Sequence, residues 1–198
     1  MPKPISQPCL RNQEPIYQAL KNYFIEKGSV LELACGTAQH AVYFAERFPS
    51  LNWQPSDLEP AMEGARLWVE EAGLENIKPP LSLNIENEHW IDDFFDYIYS
   101  ANLVHYISQD SVTSMFNGIS KHLKEKGLLA LYGPYHQSGF PSEGNVRLDK
   151  WLKTEVNPAA GIKVLSDIIH LAKDYGLELE ANHDMPANNH LLIFRKKK

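Results

Sequence analysis

Val30-Leu31-Glu32-Leu33-Ala34-Cys35-Gly36-Thr37-Ala38 is the stretch on which the reading of this chain turns. Val30, Leu31 and Leu33 make a short apolar run of the kind that forms a buried parallel strand, with the acid Glu32 set inside it. Ala34, Gly36 and Ala38 then remove side-chain bulk, and a helical pattern follows. A strand, a tight turn of small residues and a helix start make a corner where a cofactor can approach the backbone and meet free N–H groups. An ordinary strand-to-helix turn can carry the same residues, so the context has to decide.

The flanking chain alternates between the two periods. Upstream, residues 1–13 are proline-rich and polar and predict an irregular arm. Pro15 then suits the first turn of a helix whose apolar face is Ile16, Leu20, Tyr23 and Phe24, up to about Ile25. Downstream, Ala41, Phe44, Ala45 and Phe48 predict a buried stripe on a helix over 38–48. Leu51 to Ser56 predicts a second strand ending at Asp57, and 60–72 a helix stopped by Gly73. Pro79 and Pro80 delay a third strand to about Leu81. Residues 86–93, with Trp90, predict a short helical turn. Phe94 to Ala101 is rich in strand formers, and 109–123 has helical spacing. Gly127 to Tyr132 predicts a fifth strand, broken by Gly133-Pro134. The stretch 136–161, with a short helix around 148–155, exceeds the usual connection of about 4–6 residues and reads as a lid or binding loop. A helix over 162–175 is followed by strands 177–181 and 191–194, whose link is too short for a helical crossover and makes them antiparallel. The sum is one α/β domain over 1–198: a seven-stranded, mostly parallel, doubly wound sheet with a C-terminal antiparallel hairpin.

Composition narrows the function classes. Hydrophobic residues are 43% and charged residues 22% of the 198, as in a soluble globular protein. No apolar run has the length of a membrane span, and Met1-Pro2-Lys3-Pro4 lacks a signal-peptide core. Two cysteines and no Asn-x-Ser/Thr acceptor point to a reduced, cytoplasmic setting. A formal charge of −6, with no basic block before the tail at 195–198, argues against a long nucleic-acid partner.

With the alternation in place, the chain resembles the class I methyltransferases that use S-adenosylmethionine (SAM). The first-strand motif of that superfamily, two apolar residues, an acid and three spaced glycines, falls on Val30, Leu31, Glu32, Ala34, Gly36 and Ala38, with alanine at two glycine positions. A closer resemblance, to the methyltransferase-like domain-of-unknown-function 938 family, rests on several stretches. They are Arg11-Asn12 with Pro15-Ile16, Gln39 to Ala45, Trp53 to Asp57, Asn102 to His105, Leu131 to Tyr135, and Met185 to Asn189. The resemblance implies a SAM-binding fold and no particular methyl acceptor. It implies cofactor contacts from Glu32, Ala34, Gly36, Thr37 and His40 around the first turn. Asn84 and Ile85 would lie at the adenine, and Ala101 and Asn102 on the sulfonium side. Asp57 follows Gly36 by 21 residues, and a carboxylate about 20 residues on is placed for ribose hydroxyls. Asp57 also suits a helix N-cap, and Asn84 a surface position.

Methyl transfer from SAM releases a neutral thioether, so catalysis is chiefly positioning, with a base needed only if the acceptor must lose a proton. His105, just past the fourth strand, is the candidate base, or else a loop histidine bonded to local backbone. Tyr132 and Tyr135 are candidates to face the reacting cation, or else sheet-edge packing. Arg11 suits a carboxylate or phosphate on a substrate. Asn12, Asn145, Asn188 and Asn189 are candidate substrate contacts, although asparagine is also a common turn residue. The arm at 1–27 and the loop at 136–161 would cover the acceptor, a small or medium polar molecule. A non-catalytic SAM-binding or partner-binding protein of the same fold is the alternative. A nicotinamide site needs glycines where Ala34, Gly36 and Gln39 stand, and fails. No metal-ligand spacing and no hydrolase nucleophile elbow occur.

Overall fold

The computed structural model describes residues 3–198; the N-terminal arm expected over 1–27 begins on Met1 and Pro2, which lie outside the described residues. The elements that place the site begin with α1 (Gln7–Leu20), β1 (Gly28–Leu33), α2 (Gln39–Arg47), β2 (Leu51–Asp57), α3 (Met62–Ala72) and β3 (Leu81–Ser82). They continue with β4 (Phe95–Ala101), α4 (Gln109–His122), β5 (Leu123–His136), α5 (Glu143–Trp151), β6 (Lys163–Val164), α6 (Leu165–Asp174), β7 (Leu177–Met185) and β8 (Asn189–Lys196). Seven strands lie in the order β3-β2-β1-β4-β5-β8-β7, and the two-residue β6 pairs beside the end of β5. β3, β2, β1, β4 and β5 are parallel, while β8 runs antiparallel to both β5 and β7. The expected doubly wound sheet with its closing hairpin is therefore present.

Each strand feeds two cores by the period of two. Val30, Tyr97, Tyr99, Ala130 and Tyr132 face Ile16, Leu20 and Phe44 of α1 and α2. Leu31, Leu33, Ile98, Leu129 and Leu131 face Phe116, Ile119 and Ile168 of α4 and α6.

The structure departs from the sequence reading at several places. α1 starts at Gln7 rather than near Pro15, because the Ser6 side chain caps it by accepting the Cys9 N–H at 3.4 Å and Pro8 fits the first turn. Pro15 is interior and forfeits one helical bond, a cost of about 3 kcal/mol. Full burial of Ile16 and Leu20, about 1.5–3 kcal/mol each, offsets it. β5 runs through Gly133-Pro134 to His136. Its partner β4 ends opposite Tyr132, so Pro134 lies where only one edge still needs pairing. α5 starts at Glu143, capped by Ser142 rather than near Leu148, and β7 and β8 extend almost to each other because left-handed Ala187 and Asn188 close the link tightly.

Residues 86–93 form no helix; Trp90 lies flat on α4, stacked on His122 at 5.2 Å and filling the space above Gly118. A Cβ on Gly118 would stand 2.0 Å from the Trp90 ring. Helix propensity favours Gly118→Ala by about 1 kcal/mol, but the overpacking that forces the Trp90 ring to shift costs about 1–3 kcal/mol. A lowered melting temperature, by roughly 2–6 °C, is expected; a rise would show that Trp90 is free to move.

Candidate functional site

The turn after β1 carries left-handed backbone at alternate positions: Ala34 (φ 55°), Gly36 (φ 56°) and Ala38 (φ 61°). An L-residue gives up about 1–2 kcal/mol there. Alanine holds two of the three positions because hydrogen bonds fix the turn. Cys35 N–H donates to the Ser56 carbonyl at 2.9 Å and Ala38 N–H to the Cys35 carbonyl at 2.8 Å. Gly36 N–H donates to Asp57 Oδ2 at 2.7 Å, and Leu58 N–H to Asp57 Oδ1 at 2.7 Å. Asp57 thus buckles the turn of β1 to the end of β2. The Gly36 amide is spent on that buckle, while each carboxylate oxygen retains a second lone pair for a ligand hydroxyl.

The turn opens on a cavity of ≈ 600 Å³ at the carboxyl ends of β1, β4 and β5, the side of an open α/β sheet where ligands bind. Of the expected cofactor contacts, Glu32, Ala34, Gly36, Thr37, His40, Ala101 and Asn102 line it. So do His105, Tyr132, Arg11, Asn12 and Asn189. Asp57 stands behind the lining on the Gly36 amide. Asn84 and Ile85 lie off it: Asn84 Oδ1 accepts the Glu86 N–H at 2.9 Å, and Ile85 packs into the core under α4.

Tyr135 also lies off this cavity. It is three residues from Tyr132, so strand alternation turns it to the opposite face, among Leu131 and Leu192. A second cavity of ≈ 510 Å³ lies between residues 136–141 and the end of the hairpin, with Asn188 on its wall and Asn189 shared with the first. Tyr135 Oη and His136 Nδ1 are buried there without a protein partner. Asn145 lines neither cavity; its Oδ1 accepts from Ser142 Oγ at 2.7 Å and from Asn188 Nδ2 at 3.4 Å, tying α5 to the hairpin.

Among the buried titratable groups of the main cavity are Glu32, His40 and His105. Burial, helped by the charge of Asp57, pushes the Glu32 carboxyl up to about 8, although the Trp53 indole N–H donates to its Oε2 at 2.7 Å. Burial pushes His40 down to about 4. The neutral ring donates from Nε2 to Asn12 Oδ1 at 2.7 Å and accepts the Tyr99 hydroxyl at Nδ1, 3.2 Å. That chain welds α1 to α2 and β4. Burial, then the nearby Lys163 ammonium, pushes His105 down to about 4, leaving a neutral imidazole on the cavity wall.

α1 forms one wall of the cavity through Pro8, Cys9, Arg11 and Asn12, a single helical face. Pro8 and Cys9 were missed because the arm was expected to be irregular; the signal was Ser6 followed by Pro8, a capped helix start. The Ser6 N–H also donates to Gln39 Oε1, and Trp68 Nε1 donates to the Pro4 carbonyl at 2.6 Å, so the arm is strapped across α2 and α3. Tyr106 and Leu148 bring the β4–α4 loop and α5 to the mouth. Among the described residues no group of three or more His, Cys, Asp or Glu is placed to hold a metal ion, and no helix is long and apolar enough to cross a membrane.

Comparison with known proteins follows the same lines. The profile of a family described as "Protein of unknown function (DUF938)" matches residues 3–196. An O-methyltransferase family protein from Burkholderia thailandensis is similar in structure, with a TM-score of 0.83 at 15% identity over 96% of this chain and 57% of its own. Mitomycin 7-O-methyltransferase gives 0.83 at 17% identity, over 95% and 54%. Human N-acetylserotonin methyltransferase, solved with SAM, gives 0.82 at 11% identity, over 97% and 53%. The chain thus spans a little over half the length of these proteins and has the class I methyltransferase fold.

Proposed function

The chain belongs to the DUF938 family, and from that premise and its methyltransferase fold we propose that it is a SAM-dependent methyltransferase acting on a small or medium polar acceptor. The observation that carries this reading is a single cavity, at the correct end of the sheet, lined by Glu32, the small-residue turn and a neutral His105. The residues present fit the cofactor. Glu32 has one oxygen, Oε1, without a protein partner, and Ala34 and Gly36 leave the backbone bare of bulk.

In this reading Glu32, the turn from Ala34 to Thr37 and His40 hold the cofactor, with Asp57 behind Gly36 offering its remaining lone pairs to a ribose. Ala101 and Asn102 border the reacting end. The bound group supplies an electrophilic methyl carbon. His105 accepts a proton from an acceptor hydroxyl at its free ring nitrogen, and Tyr132 orients the acceptor. Asn12 and Asn189 serve as its polar contacts from within the cavity. Asn145 and Asn188 brace the wall, and Tyr135 and Asn84 with Ile85 are left with structural tasks. α1 and the segment 136–161 form the cover that excludes water.

Titration calorimetry tests the cofactor. Heat on adding SAM, and none on adding NADH, is expected; heat with NADH alone would overturn the reading. Transfer of a labelled methyl group to a component of cell extract is expected next. Binding of SAM with no fraction ever labelled would leave a SAM-binding protein without transferase activity.

A further inference from the structure

The second cavity, between residues 136–141 and the end of the hairpin, holds polar groups for which the protein supplies no partner. Tyr135 is 1% exposed, and packing accounts for its ring; its hydroxyl is left on the cavity wall with nothing to bond. Burial pushes that phenol up, so the oxygen keeps its proton and is a donor as well as an acceptor. His136 Nδ1, from the next residue of β5, is buried and unpaired on the same lining. Two orphaned polar atoms on one cavity mark a place where something other than protein completes the bonds.

The rest of the wall limits what that is. No lysine or arginine lines the cavity, so an anion meets no counter-charge. The one carboxylate on the lining, Asp184, has a side chain 98% exposed, so an enclosed cation meets none either. Acceptors dominate what remains. Asn188 Nδ2 donates to Asn145 Oδ1 at 3.4 Å and Asn189 Nδ2 to the Pro186 carbonyl at 2.9 Å, which leaves both side-chain oxygens to accept. His190 Nδ1 donates to Asn182 Oδ1 at 2.9 Å, so Nε2 of the neutral ring accepts too. Aromatic rings bound the same space: Phe140 lies 5.0 Å from His136, and Tyr135 meets His190 edge to face at 6.2 Å. A volume of ≈ 510 Å³ is that of a small-molecule site. We propose that this cavity binds an uncharged ring bearing hydroxyl groups, which donate to Asn188, Asn189 and His190 and pair with Tyr135 Oη and His136 Nδ1. A phenol and a sugar share that chemistry. Asn189 lines both cavities, so the site lies beside the main one and not within it. The assignment goes beyond the SAM-binding reading and does not depend on it.

The test is a titration of the full chain, without cofactor, followed by the imidazole nitrogen resonances of its histidines. Catechol and methyl glucoside are the probes, and benzoate is the charged control. A saturable shift of His136 and His190, with His40 and His105 unmoved, is expected from at least one probe and not from benzoate. A response to catechol alone identifies a phenol as the ligand, and to the glucoside alone a sugar. Tyr135→Phe keeps the ring and removes only the orphaned hydroxyl. It is expected to weaken the bound probe roughly tenfold, the loss of one hydrogen bond inside the cavity, with a melting temperature no lower than wild type. Phe140→Ala, at a side chain on the surface, should weaken the probe severalfold through lost ring contact. No saturable shift with either probe, or Tyr135→Phe binding as wild type does, would overturn the assignment and leave a cavity filled by water only. Shifts confined to His40 and His105, or benzoate binding as tightly as the probes, would overturn it as well. SAM binding is measured separately by calorimetry, so failure here leaves that reading standing.

Discussion

Asp57→Ala is expected to weaken S-adenosylhomocysteine binding by roughly 30- to 160-fold, the loss of about 2–3 kcal/mol of interaction. Two losses combine. The carboxylate is the acceptor for the Gly36 N–H at 2.7 Å, and without it the left-handed Ala34–Ala38 turn has one restraint fewer on a conformation alanine disfavours. In the proposed reading the same carboxylate also offers its remaining lone pairs to ribose hydroxyls. Asp57→Asn keeps an acceptor oxygen but turns an amide toward one of two N–H donors, so an intermediate loss is expected. Calorimetric affinities of the two variants check this. An alanine variant within threefold of wild type would show that Asp57 is only a cap for residues 58–61.

The second large effect is on stability against pH, and its sign follows from three buried groups. Glu32 has a folded value near 8 against 4.5 when unfolded, so between these values the native state holds one extra proton and stability falls as pH rises. His40 and His105 have folded values near 4 against 6.5, so from 4 to 6.5 the unfolded state holds two extra protons and stability rises with pH. From 4.5 to 6.5 the two histidines outweigh the one acid. Above 6.5 only the acid still titrates. These three groups therefore place maximum stability near pH 6.5, with a decline toward pH 8 of about 1.4 kcal/mol per pH unit. The melting temperature should drop by roughly 4–8 °C over that interval. Glu32→Gln, which keeps an oxygen for the Trp53 indole, should flatten the decline above pH 6.5 and roughly double the slope of the rise from 4.5 to 6.5, where the acid no longer opposes the two histidines. A wild-type melting curve that still rises from pH 6.5 to 8 would show that Glu32 is ionised in the folded protein.

How much of this was legible beforehand differs by element. The alternation from Val30 to Leu131 and the Gly-type turn were plain, because buried strands and amphipathic helices leave periodic marks on the sequence. The start of α1 was not. Its proline at position 15 outweighed the capping signal at Ser6, and only packing against α2 shows which of the two prevails. Tyr132 and Tyr135 looked equivalent as a pair flanking a break. There is no break, and three steps along a continuous strand put them on opposite faces. Asn84 could be placed at a strand end, but the bond of its side chain to Glu86 depends on a turn with no local signature.

The amino-acid sequence on its own determined the α/β class, the parallel sheet with its terminal hairpin, and the corner at Ala34 to Ala38, since these follow from local periods and from where bulk is missing. Only the tertiary structure decided which side chains share the cavity. It brought Arg11 from the arm, Glu32 from the first strand, His105 from beyond the fourth and Asn189 from the hairpin to one space. It also set the proton affinities of Glu32, His40 and His105. Both outcomes depend on burial and on neighbours distant in the chain, and neither quantity is carried by local spacing.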